Sequence, residues 1–85
     1  MYYFYVLKLK NGKLYKGFTN DLKRRIADHK SGQSSFTSRN GKFDLIFYEA
    51  YINKKDAQEA ERYFKTGHGR EVLKDKLKNT LGGVA

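Results

Sequence analysis

Aromatic and β-branched residues fill the first stretch, Tyr2-Tyr3-Phe4-Tyr5-Val6-Leu7, and apolar and polar positions then alternate through Lys8, Leu9 and Lys10. This pattern predicts a strand over residues 2–9. Asn11-Gly12 accepts the positive φ angles of a tight two-residue turn, so Leu14-Tyr15-Lys16-Gly17-Phe18 is expected to return as an antiparallel partner. Thr19-Asn20-Asp21 offers capping side chains and an early acid, which predicts a helix running through Leu22 and Ile26 to a stop at Ser31-Gly32. Polar loop chemistry dominates residues 32–42. Phe43 to Ile52 is so dense in apolar residues that a third strand, central and buried on both faces, is expected there. Asn53 can cap a helix with Ala57, Ala60 and Phe64 at helical spacing. Gly67-His68-Gly69 interrupts it, and Arg70 to Leu81 carries an apolar stripe of Val72, Leu73, Leu77 and Leu81, the mark of a last amphipathic helix.

The order β-β-α-β-α-α lacks the regular βαβ alternation of a parallel sheet. The expected fold is α/β in the α+β sense: a small three-stranded, mostly antiparallel sheet flanked by helices. One domain over residues 1–81 accounts for it, with 82–85 as a short flexible tail. The chain has no cysteine, which excludes disulfide scaffolds, thiolate metal sites and cysteine nucleophiles. The apolar run at the N-terminus is broken by Lys8, so neither a signal peptide nor a membrane span is expected, and the reading is a cytoplasmic protein. Eighteen Lys and Arg oppose nine Asp and Glu, and a net charge of +9 favours a polyanionic partner, nucleic acid above all. A ribosome-associated or merely basic protein is the alternative.

Three features could carry chemistry. Arg25 and His29 lie four residues apart on one helix face, where a guanidinium fork and an imidazole could address the same phosphate. A basic solvated helix with an incidental histidine is the plainer reading, because Lys23, Arg24 and Lys30 are also there. Glu61 shares helical spacing with Ala57 and Phe64, so it falls on or beside the core-facing side, whereas Glu59 points to solvent. Such an acid needs a partner, either a Lys or Arg or a divalent metal such as Mg²⁺. Tyr3, Tyr5 and Tyr15 share one face of the hairpin as packing or as a phenol able to hydrogen-bond a reacting water; Tyr2 and Tyr48 read as packing.

Together these residues form a recognisable order. Tyr3-Phe4-Tyr5-Val6-Leu7, the hairpin, and Leu14-Tyr15-Lys16-Gly17-Phe18-Thr19 resemble the paired signature of the GIY-YIG endonuclease superfamily, in the form of its small single-domain bacterial members. Asn20 to His29 resembles that family's first helix, with its Arg and His. Leu45 to Glu49 is similar to its third strand, Ala57 to Lys65 to the helix presenting a metal-binding Glu, and Gly67 to Arg70 to the turn that follows. The resemblance spans residues 2 to about 80.

It implies catalytic roles for Tyr5, Tyr15, Arg25, His29 and Glu61, with Glu61 as ligand to one Mg²⁺ or Mn²⁺ and Gly17 as the glycine of the second motif. Lys16, Lys23, Arg24, Arg39 and Arg70 are the basic residues expected to contact nucleic acid. The implied reaction is hydrolysis of DNA phosphodiesters: a tyrosine activates water, Arg and His stabilise the phosphate charge, and a Glu-bound metal stabilises the leaving oxygen. No set of base-reading side chains is apparent, so strict specificity would call for a partner protein, and cutting both strands for a homodimer or two events. The sequence departs from the family pattern at Tyr3, Phe4, Lys16 and His68, and offers only Asn79 as a late polar ligand. A nucleic-acid-binding module without turnover is the alternative, and a basic interaction protein a third.

Overall fold

A computed structural model describes residues 1–31 and 42–82. Strands β1 (Tyr2–Leu9), β2 (Leu14–Thr19) and β3 (Phe43–Tyr51) form one antiparallel sheet in the order β2-β1-β3, joined by helices α1 (Leu22–Lys30), α2 (Lys54–Tyr63) and α3 (Gly67–Lys76). The α+β fold expected from the sequence is the fold observed, with β1 at its centre. Alternation along β1 divides its side chains. Phe4 and Val6 turn to one face, where they join Ala60 and Phe64 and then Leu73 and Leu77, with the Phe4 and Phe64 rings stacked 5.0 Å apart. Tyr3, Tyr5, Leu7 and Leu9 turn to the other face, where His29 of α1 meets Tyr5.

Each helix starts where a short polar side chain can accept an otherwise unpaired backbone N–H. Asp21 accepts from Arg24 N, Asn53 from Lys55 N and Thr66 from Gly69 N. The Thr66 cap corrects the reading of Gly67-His68-Gly69 as an interruption: these residues are the first turn of α3, which ends at Lys76 rather than Leu81. Gly69 is needed there, because a Cβ would lie 1.9 Å from the Tyr63 carbonyl oxygen.

Two further corrections concern the sheet. The hairpin tip is longer than two residues. Gly12 N donates to Leu9 O and Leu9 N to Lys13 O, and Gly12 alone takes a positive φ of 86° while Asn11 does not. This is a turn closed by a left-handed glycine. The third strand is an edge strand, not a central one. Its pairing slips where Val6 faces Phe47 but Leu7 faces Leu45, leaving Ile46 as an extra residue. Such a bulge lets Ile46 and Phe47 both pack on the core cluster, so the apolar run came from the bulge and not from two-sided burial. Leu45 and Tyr48 on the other face remain exposed, at 38% and 52%, which also corrects the reading of Tyr48 as packed. Tyr2 does pack, stacked on Phe18.

Candidate active site

Register decides what meets on the face covered by α1. Tyr5 pairs with Gly17 and Leu7 with Tyr15, so the two tyrosines share a face as diagonal neighbours rather than as a direct pair. Their rings are 6.3 Å apart. Because Gly17 has no side chain, the Tyr5 ring lies over the β2 backbone; a Cβ at that position would be 2.5 Å from both Cζ and Oη of Tyr5. The tyrosine of the first motif thus rests on the glycine of the second.

Helix α1 presents Arg25 and His29 from successive turns to this phenol. Tyr5 Oη is 2.9 Å from His29 Nε2, and Arg25 Nε donates to the same oxygen at 3.3 Å. Tyr15 stands near enough to Arg25 to favour its charged form as well. The His29 ring packs edge-on against Tyr15 at 5.3 Å and against Phe43 at 5.8 Å. Tyr5 and His29 are 1% and 2% exposed, and Arg25 and Tyr15 are half-buried at the rim.

Burial sets the protonation states. It raises the Tyr5 phenol above 10.0, an effect that the Arg25 hydrogen bond partly opposes and the charge of Glu61 adds to. Burial, with the Arg25 charge second, holds His29 below 6.5. The Tyr5 hydrogen bond raises Arg25 further, so the guanidinium stays charged. At neutral pH these shifts favour Tyr5 O–H donating to an unprotonated His29 Nε2, with Arg25 donating to the phenol oxygen.

Glu61 makes no hydrogen bond to this group; its helix packs through Ala60 on the opposite, Phe4–Val6 face of the sheet, and its charge adds only the last and smallest part of the rise at Tyr5. Its half-buried carboxylate accepts from Lys65 Nζ at 3.2 Å, the ion-pair partner foreseen as the alternative to a metal. Among the described residues no three His, Asp or Glu side chains gather as a metal cage. Glu59 is exposed, as expected.

The basic residues divide between two places. Lys16 and Arg70 line a cleft with Lys13, Lys65 and Lys74 on the other side of β2. Burial first, and then the charges of Arg70, Lys65 and Lys74, push the Lys16 ammonium below its ordinary value. Lys13, Lys65 and Lys74 were missed from the sequence; the four-residue spacing of Arg70 and Lys74 was the available signal. Lys23 and Arg24 are exposed on α1, Asn79 is exposed beyond α3, and Arg39 lies outside the described residues. No described helix is long and apolar enough to cross a membrane.

The model of the GIY-YIG catalytic domain matches residues 1–76. A UPF0213 protein of Lacticaseibacillus paracasei is 42% identical over 85% of this chain and 84% of its own. The UPF0213 protein YazA of Bacillus subtilis is 35% identical over 98% of this chain and 87% of its own. The solution NMR structure of a UPF0213 protein from Bacillus halodurans superposes with a TM-score of 0.55 at 35% identity, over 86% of this chain and 82% of that one. Likeness in sequence and in fold therefore runs the length of the sheet and its helices, and the chain belongs to the GIY-YIG family, whose domain is nuclease-like.

Proposed function

We propose that this protein is a metal-dependent endonuclease acting on DNA phosphodiester bonds through Tyr5, Tyr15, Arg25, His29 and Glu61. The observation that carries this reading is the chain of hydrogen bonds from Arg25 through Tyr5 to His29. A buried imidazole and phenol are costly unless paired, and an apolar filling would serve packing equally well. Their perturbed protonation, in a basic protein with a guanidinium at the rim, supports a chemical task.

Arg25 has five N–H donors, and its bond to the Tyr5 phenol holds it in place while donors remain for phosphate oxygens. Its charge is thereby oriented before the reaction starts. In the hydrolysis, the water oxygen forms a bond to phosphorus and the ester P–O bond breaks. The water's proton passes to the Tyr5 oxygen while Tyr5 gives its own proton to His29 Nε2; the leaving oxygen takes up a proton from solvent and His29 later releases one to solvent, which closes the cycle. Tyr15, half-buried at the rim, favours the charge on Arg25 and packs against His29.

Glu61 is the residue that would hold the metal. Lys65 already places a cation against its carboxylate, and one carboxylate suits Mg²⁺, which keeps several waters and shares substrate phosphates. When bound, the ion supplies Lewis-acid stabilisation of charge on the leaving oxygen. The same ion pair supports a second reading, in which Lys65 permanently neutralises Glu61 and the protein binds nucleic acid without cutting it. Incubation with supercoiled plasmid, with Mg²⁺ or with EDTA, separates the two. Nicking that requires Mg²⁺ and is lost in Glu61→Ala supports the nuclease. Retained binding without nicking in any divalent metal supports the second reading.

A further inference from the structure

One step along β1 from Tyr5, the cover given by α1 opens into a groove of about 720 Å³, in the range of ligand pockets. Tyr3, Leu45 and Tyr48 line it on the sheet side, and Lys23 and Lys30 on the helix side. Tyr3 and Tyr48 meet edge to face at 6.2 Å. Folding has left Tyr48 52% exposed and Leu45 38% exposed, both on this face of the edge strand. An exposed aromatic beside lysines is what stacking on a base needs: a π-face for the base and cations for the flanking phosphates.

We infer that this groove stacks an unpaired nucleobase, so that the favoured substrate is single-stranded or locally opened nucleic acid beside the scissile phosphate. The inference rests on the nuclease reading for the phosphate site but adds an occupant next to it. Three observations favour a nucleotide over another occupant. Lys23 and Lys30 flank the aromatics in a chain of net charge +9, and the one acid among the described residues that line the groove, Asp21, is engaged as the cap of α1. Tyr3 and Tyr5 lie two residues apart on one strand face, roughly 6.7 Å, so the groove adjoins the Arg25 site. The groove pairs the half-exposed Tyr48 ring with the apolar side chains of Leu22, Ile26 and Leu45, which suits stacking of a base. Bases paired within a duplex cannot turn into it.

The test is fluorescence anisotropy in EDTA, with a labelled short oligonucleotide as single strand and as duplex. Binding is then read without turnover, so the stacking groove can fail while plasmid nicking stands, and the reverse. The wild-type protein is expected to bind the single strand more tightly. Tyr48→Ala should weaken that binding about tenfold and leave duplex binding unchanged, while Tyr48→Phe retains it. Lys23→Ala should reduce the slope of log affinity against log salt by about 0.7, and Tyr48→Ala should leave that slope alone. Circular dichroism confirms that each variant is folded; Tyr48 is exposed enough for truncation to be tolerated. Unchanged single-strand affinity in Tyr48→Ala overturns the inference. So does an equal loss for both DNA forms, or a shift of a monomer–dimer equilibrium on sedimentation, which would assign the groove to a second copy of the chain.

Discussion

Replacing Gly17 with alanine tests whether the two halves of the signature are coupled by contact. A Cβ at Gly17 would lie 2.5 Å from Tyr5 Cζ and Oη and 2.8 Å from Cε1. Carbon contacts are comfortable at roughly 3.5–4.0 Å, so the ring must move by about 1 Å. The backbone is not the obstacle, since positive φ occurs among the described glycines only at Gly12 and Gly82. Tyr5 is 1% exposed, so its ring would be pushed against buried neighbours rather than into solvent. Overpacking of this kind costs about 1–3 kcal/mol, which lowers the melting temperature by roughly 4–8 °C for each kcal/mol in a domain of this size. Moving the hydroxyl also breaks its contacts of 2.9 Å to His29 and 3.3 Å from Arg25. Thermal melts of Gly17→Ala, Tyr5→Leu and the double variant close a cycle. The double variant should be less destabilised than the sum of the singles, by about 0.5–3 kcal/mol. Additive effects, or a Gly17→Ala protein that melts like the wild type, would refute the argument.

Acid should weaken the fold through His29. Its folded pKa lies below 6.5, so the unfolded chain takes the proton first, and stability present above about pH 6.5 is lost as pH falls through the folded value. Denaturant unfolding at pH 7.5 and 5.0 should show this loss in the wild type and a smaller one in His29→Gln; equal losses would rule His29 out as the source. Gly69→Ala should cost about 3 kcal/mol, the upper end for overpacking, because its Cβ would strike the Tyr63 carbonyl backbone rather than a movable side chain. A denaturation midpoint equal to that of the wild type would contradict that. Lys16→Ala removes one cation from the basic cleft, so the salt slope for duplex DNA should fall by about 0.9, and an unchanged slope would place the DNA elsewhere.

Much of this was legible because it is local. The caps Asp21 and Asn53, the β1–β2 hairpin and the shared face of Tyr5 and Tyr15 follow from neighbouring residues and a period of two. The edge position of β3 was not legible. A bulge at Ile46 and burial on two faces both produce the run Leu45-Ile46-Phe47-Tyr48, and only the pairing with Val6 and Leu7 tells them apart. The start of α3 was missed for a similar reason. Glycines read as a break, yet Gly69 is required by the close approach of Tyr63, and Thr66 caps the turn. At the site, the four-residue spacing brought Arg25 and His29 to one face, and the family resemblance implied that this face would cover Tyr5 and Tyr15; that both side chains bond the same Tyr5 oxygen was not legible. Phe43 packs against His29 from a strand fourteen residues further on, a contact without a local signal.

The central claim is that Glu61 and the Arg25–Tyr5–His29 chain form one hydrolytic site. Single-turnover cleavage of a labelled DNA by excess protein in Mg²⁺, comparing wild type with Glu61→Gln, tests it most directly. The rate in Glu61→Gln is expected to be at least about a hundredfold lower, the size of effect seen when one charge-stabilising group is lost, with DNA affinity in EDTA unchanged. Equal rates in the two proteins would contradict it.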